Sequence, residues 1–167
     1  PKAKAVVFQT KRAKSYFKKY NLKNTTIIAN PIMVKCLARK PTKGKIVNVG
    51  RLEEQKNQKL LIDAFYDTLT KVPYASLYIY GEGTLKERLL RRVEKLGISE
   101  HVHLMGNVEN IHEQIADSEV FVLSSDYEGL SNALLEALMM GLTCISTNCA
   151  GSDEYISDHE NGLIVSV

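Results

Sequence analysis

At 167 residues the chain suits one domain with a sizeable core, and 44% apolar and 25% charged residues are ordinary for a globular protein. No uninterrupted apolar run approaches the roughly 18–20 residues of a membrane span, and the N-terminus lacks the apolar centre of a signal peptide. The net charge of +3 conceals a division: residues 1–45 hold thirteen Lys or Arg and no acid, while the remainder sets nine basic residues against nineteen acidic ones.

That asymmetry reads as a seam between two structural contexts, as a solvated lysine-rich surface, or as a basic face for anionic lipid or a phosphorylated acceptor. Nucleic acid is disfavoured, because Phe8, Tyr16, Phe17 and Tyr20 fall in no recognisable binding module. Three cysteines (Cys36, Cys144 and Cys149) lack zinc-ligand spacing and read as reduced thiols in a cytoplasmic compartment.

In chain order, "KAVVFQT" reads as a strand, "KRAKSYFKKYN" as a helix and "TTIIANP" as a second strand. The polar "RKPTKGK" then reads as a linker. From Lys45 onward short β-rich runs alternate with helical patterns. "KIVNVG" is a strand, and "KNQKLLIDAFYDTLTKV" a helix with Leu60, Leu61, Ala64, Phe65 and Leu69 on one side. "ASLYIYG" is a strand, and "TLKERLLRRVEKLG" a helix with Gly97 as its cap and a capping box from Thr84 to Glu87. "HVHLMG" and "EVFVLSS" are strands around the short helix "NIHEQIADS". "SNALLEALMM" is a buried helix, followed by the strands "LTCISTN" and "GLIVSV". This alternation predicts an α/β domain with a Rossmann-like, doubly wound parallel sheet.

Ligands of such a sheet bind outside the carboxyl ends of its strands. The loops there are "GRLEEQKN", "YGEGT", "LMGN", "SSDYEGLSN" and "STNCAG", each pairing glycine with polar or charged residues. After Gly50, Arg51 and Lys56 offer a guanidinium fork and a point charge suited to a diphosphate, unless both simply pair with Glu53 and Glu54. Gly81 and Gly83 form only a faint phosphate-loop pattern.

The sharpest signal is "SDYEGLSNALLEALMMG". Glu136 is the one polar residue from Ala133 to Met140, and Glu128 lies eight positions upstream, before Gly129. With Ser131 as cap, Glu136 falls in the second helical turn, where a buried carboxylate needs a ligand hydroxyl or a basic neighbour. First-turn amides would remain free for oxyanion or sugar oxygens. The histidines at 101, 103, 112 and 159 are scattered singles that read as structural or solvated, with His103 held in reserve near the ligand edge.

These residues resemble a known family. "EGLSNALLE" fits the E-x7-E motif of retaining glycosyltransferases of family 4, which have the GT-B fold of two facing Rossmann-like domains. "VGRLEEQKN" resembles the family's G-R-x-x-x-x-K loop, "YGEG" its G-[DE]-G loop, and "STNCAGSDEYISDHENGLIV" its closing segment. "FQTKRAKSYFKKY" with "IIANPI" is similar to the last β-α-β piece of the N-terminal domain. The resemblance implies residues 46–167 as the nucleotide-sugar-binding domain, the C-terminal half of a GT-B enzyme without its final helices. Residues 1–45 would then be a basic remnant of the acceptor domain plus linker.

By position, the resemblance gives Arg51 and Lys56 the donor diphosphate, Glu136 the ribose hydroxyls and Glu128 the sugar ring. It counts Gly50, Gly81 and Gly83 among the donor-binding positions, and places the amides of Gly129, Leu130 and Ser131 at the sugar and phosphate oxygens, with Met105 and Gly106 beside the base. It implies no cofactor and no metal: the nucleotide sugar, UDP- more than GDP-linked, is the substrate. The acceptor would be a polysaccharide or lipid-linked glycan, met by a cytoplasmic enzyme peripheral to the membrane. A GT-B sugar-nucleotide epimerase and an inactive nucleotide-binding module are the competing readings. A nicotinamide dehydrogenase is disfavoured, because "GRLEEQK" lacks the three-glycine fingerprint.

Overall fold

The computed structural model describes residues 3–149 and 151–166. Strands β1 (Val6–Phe8) and β2 (Thr25–Ile27) pair in parallel around α1 (Lys11–Tyr16), making a small basic unit. The main sheet takes β3 (Thr42–Val49), β4 (Ser76–Tyr80), β5 (Val102–Gly106), β6 (Ser118–Leu123), β7 (Thr143–Thr147) and β8 (Leu163–Val165). All six run parallel in the order β5-β4-β3-β6-β7-β8. Helices α2 (Gln58–Leu69), α3 (Lys86–Leu96), α4 (Ile111–Ile115) and α5 (Asn132–Met140) fill the crossovers.

Strand residues alternate between two cores because successive side chains point to opposite sheet faces. Leu77 and Ile79 pack with Leu61, Ile62, Phe65, Leu89 and Val93 of α2 and α3. Val47, Tyr80, Phe121 and Leu123 pack with Ile115, Leu134, Ala137 and Met140 of α4 and α5. The buried stripe of α2 runs through Leu61, Ile62 and Phe65, one position round from the expected face, so Leu60 is left 40% exposed. Each end of α5 is closed locally. The Ser131 hydroxyl accepts the Leu134 amide at its start, and Gly141 at φ +86 returns the chain at its end, with the Leu142 amide on the Ala137 carbonyl.

The expected linker is partly strand. β3 begins at Thr42 rather than at Lys45, because the Asp117 carboxylate at the start of β6 takes the Thr42 hydroxyl at 2.8 Å and Lys45 Nζ at 2.5 Å. The residues before it lie on the main domain. The amides of Ala38 and Arg39 donate to the carbonyls of Met140 and Ala116, while Val34, Cys36 and Ala38 pack on the core beneath. The basic unit is held by Glu154, whose two oxygens accept the amides of Lys11 and Arg12 at the start of α1. Thr10, fully buried, fills the seam.

Burial alone would raise the Asp117 pKa, but its bonds from Lys45 and Thr42 outweigh that and hold the carboxyl below its ordinary 3.8. A depressed carboxyl stabilises the fold above its unfolded pKa, and the contribution is lost as pH falls through the folded value. Asp117→Asn should therefore cost about 1 kcal/mol at neutral pH. In urea unfolding across a pH series that cost should vanish in acid; a cost constant with pH would show that charge is not its source.

Candidate functional site

The sheet order reverses between β3 and β6, so the chains leaving these neighbours turn to opposite faces and open a crevice. The β3–β6 ladder ends at Val47 and Phe121. One residue on, the Asn48 side-chain amide takes the Val122 carbonyl at 2.8 Å. Beyond that the loops after β3 and β6 are stitched together. Ser124 Oγ donates to the Lys56 carbonyl, the Asp126 amide to the Gln55 carbonyl, Gln55 Nε2 to the Tyr127 carbonyl, and Asn57 Nδ2 to Asp126 Oδ1.

At the centre of this seam Lys56 Nζ meets Glu128 Oε1 at 2.5 Å, with side chains only 16% and 7% exposed. Ser125 Oγ donates to the same oxygen at 2.7 Å, and Gln55 Nε2 reaches the other at 3.4 Å. The anticipated competitors are engaged elsewhere. Glu53 clasps the hydroxyl and amide of Thr84, and Glu54 meets Arg88 at 2.7 Å. Thr84 is therefore not the expected cap: α3 starts at Lys86 without a side-chain cap. Arg51 is exposed and pairs with no carboxylate among the described residues.

Glu136 lies half-buried on α5, its Oε2 at 3.2 Å from His112 Nε2. A basic neighbour, one of the two partners expected for Glu136, is thus supplied by one of the histidines read as structural or solvated. Local spacing carried no signal for it, because His112 comes from α4, 24 residues away in sequence. His103 instead stacks on Tyr78, with ring centroids 4.8 Å apart, on the face of the sheet rather than at its ligand edge. Among the described residues no hydrogen bond uses the amides of Gly129, Leu130 or Ser131.

A small groove of about 240 Å³ crosses the carboxyl ends of β3, β4 and β5, lined by Gly50, Arg51, Tyr80, Gly81, Gly106 and Ile111 among others. Gly83 and exposed Met105 are not in its lining. Neighbouring backbone, rather than open space, accounts for two of the glycines. A Cβ on Gly81, at φ +136, would stand 2.0 Å from the Gly50 carbonyl oxygen, and one on Gly83 would stand 2.4 Å from that of Leu52. A larger hollow of about 890 Å³ lies between α5 and β8, walled by Leu135, Leu138, Met139 and Leu163; it includes none of the candidate side chains.

The sheet is doubly wound, and the buried Lys56–Glu128 pair stands at its switch point, the edge where ligands of such sheets bind. The sequence model described as "Glycosyl transferases group 1" matches residues 30–167, and the chain belongs to that family. An uncharacterized glycosyltransferase of Methanocaldococcus jannaschii is 43% identical over 103 residues, 62% of this chain and 25% of that protein. The Campylobacter jejuni N-acetylgalactosamine-N,N'-diacetylbacillosaminyl-diphospho-undecaprenol 4-alpha-N-acetylgalactosaminyltransferase is 38% identical, over 73% of this chain and 33% of that one. The chain therefore spans a quarter to a third of the length of these relatives. Its fold is that of GT-B glycosyltransferases. TarM of S. aureus, solved with fondaparinux, alpha-GlcNAc-glycerol and UDP, superposes with a TM-score of 0.91 at 21% identity, covering 97% of this chain and 34% of TarM.

Because the Lys56–Glu128 pair is desolvated, removing one partner strands the other. Lys56→Met and Glu128→Gln should each destabilise the chain by about 3 kcal/mol. The double variant should cost less than the sum by about 1–3 kcal/mol in denaturant titrations. Strict additivity would mean that the two groups do not hold the loops together.

Proposed function

We propose that this chain is the donor-binding part of a retaining glycosyltransferase of family 4 that transfers a sugar from a nucleotide sugar, UDP-linked in preference to GDP-linked. The observation that carries the reading is the buried Lys56–Glu128 pair at the crevice where the sheet order reverses, with Lys56 packed against Gly50 and the next residue, Arg51, exposed in the neighbouring groove and paired with no carboxylate among the described residues. Arg51 and Lys56 hold the donor diphosphate and stabilise its charge as it leaves. Glu136 accepts from the ribose hydroxyls, and Met105 and Gly106 flank the base. Glu128 lies by the sugar ring, shielding positive charge as the glycosidic bond opens, and the amides of Gly129, Leu130 and Ser131 donate to sugar and phosphate oxygens. The acceptor hydroxyl attacks from the face the diphosphate leaves, and the departing phosphate oxygen takes its proton, so the anomeric configuration is retained. No step calls for a metal or cofactor.

UDP is favoured because it is present in the solved TarM complex and in those of pneumococcal GtfA and Anabaena HepE. The undecaprenol-linked substrate named for the Campylobacter relative supports a lipid-linked or polysaccharide acceptor, met through a separate acceptor domain. Residues 1–45 suit contact with an anionic membrane, which makes the enzyme peripheral and cytoplasmic. Tyr16 and Tyr20 are exposed on the basic unit, with Lys19 Nζ 5.6 and 5.2 Å from their ring centroids. No helix among the described residues is long and apolar enough to cross a membrane.

Calorimetric titration with UDP and GDP tests the reading. One nucleotide, UDP, should bind, and Arg51→Ala and Glu136→Ala should each weaken it by about tenfold to a hundredfold. Binding indifferent to both substitutions would place the site elsewhere. For the basic face, sedimentation with phosphatidylserine vesicles should carry the chain down at low salt, and Lys14→Glu with Lys18→Glu should release it. Equal sedimentation of that variant would remove the membrane contact from the proposal.

A further inference from the structure

His112 uses both of its ring nitrogens at once. Nδ1 faces the backbone amide of Lys35 at 3.2 Å, and Nε2 faces Glu136 Oε2 at 3.2 Å. An amide N–H can only donate, so Nδ1 must accept, and the proton of the neutral ring sits on Nε2, directed at the carboxylate. No other single side chain supplies an acceptor and a donor with this spacing and rigidity. The ring is 11% exposed, and its helix neighbour Ile111 lines the groove over the sheet's carboxyl edge. Lys35 belongs to the segment that crosses α4 and α5 towards β3, further held by the Ala38 and Arg39 amides.

We infer that His112 is a positioning residue: its imidazole aims the Glu136 carboxylate at the donor ribose and ties that acid to the segment entering the domain. The inference rests on the donor-binding reading above. One oxygen of Glu136 is committed to Nε2–H, which fixes the rotation of the carboxylate and leaves the other oxygen as the acceptor for a ribose hydroxyl. Without the clamp the carboxylate of a half-buried glutamate samples several rotamers, and each bound ribose must pay to order it.

Two isosteric substitutions separate the functions of the ring. In His112→Asn the side-chain oxygen occupies the Nδ1 position, keeping an acceptor for Lys35 and losing the donor to Glu136. In His112→Gln the amide nitrogen reaches the Nε2 position, keeping the donor and losing the acceptor. The readout is the affinity ratio of UDP, or of GDP if that binds instead, over its 2′-deoxy and 3′-deoxy analogues, measured on the whole chain beside Glu136→Ala. The wild-type chain should prefer the ribonucleotide by about 10–100-fold, the range of a hydrogen bond to a charged group. Glu136→Ala should abolish the preference, His112→Asn should reduce it about 3–10-fold, and His112→Gln should retain it. Hydrogen exchange at the Lys35 amide should accelerate in His112→Gln and not in His112→Asn.

If His112→Asn weakens all the nucleotides equally and leaves the ratio unchanged while Glu136→Ala abolishes it, the histidine is only structural and the inference fails alone. If Glu136→Ala also leaves the ratio unchanged, or if neither nucleotide binds, the donor-binding reading fails and the inference falls with it.

Discussion

The ligand edge depends on one constraint: two adjacent parallel strands, β3 and β6, send their chains to opposite faces of the sheet. The strand ladder between them stops at Val47 and Phe121, and further out the loops are held mostly by side chains, with one backbone bond from the Asp126 amide to the Gln55 carbonyl. Asn48 bridges the first gap, Ser124, Gln55 and Asn57 the next, and the Lys56–Glu128 pair the last. The groups proposed to handle a donor are therefore also those that keep the crevice in shape. A buried ion pair is a costly way to hold two loops, and a well-packed apolar contact would serve stability at least as well. The proposed function gives both charges a further use.

Helix α5 meets a similar conflict. Leu134, Leu135, Ala137 and Met140 are all buried, which leaves Glu136 the odd member of an apolar helix. The acid is neither neutralised by a full positive charge nor left bare. A neutral imidazole from α4 meets it on one side, and partial exposure hydrates the other. That arrangement gives a polar group beside a core a hydrogen-bond partner and leaves it accepting capacity to spare.

Much of this was legible in the sequence, for identifiable reasons. The alternation of β-rich and helical runs is a local property, and each strand and helix of the main sheet lies within a few residues of where its pattern put it. The cap at Ser131 and the terminating Gly97 follow from short-range rules as well. The errors occurred where distant partners decide. Thr84 has the right spacing to cap α3, yet Glu53 from the neighbouring loop takes both its hydroxyl and its amide. "RKPTKGK" looks like a linker because its composition is polar, yet Asp117 draws its second half into β3. His112 was invisible as a partner because nothing in a one-dimensional pattern joins it to Glu136 or to Lys35.

The glycines of the second loop have a mechanical consequence. Past the strand ends the backbone continues to pair: the Gly50 amide donates to Tyr80, Leu52 to Glu82, Gly81 to Gly106 and Leu85 back to Leu52. Only residues without a Cβ permit that approach, so three successive loops are laminated into a single plate on one side of the crevice. The opposite side, around residues 129–131, has no such lamination among the described residues. The crevice is thus built like a vice with one fixed jaw. In the proposed function the donor would take its register from the plate, and any adjustment of grip would fall to the residues that follow Glu128.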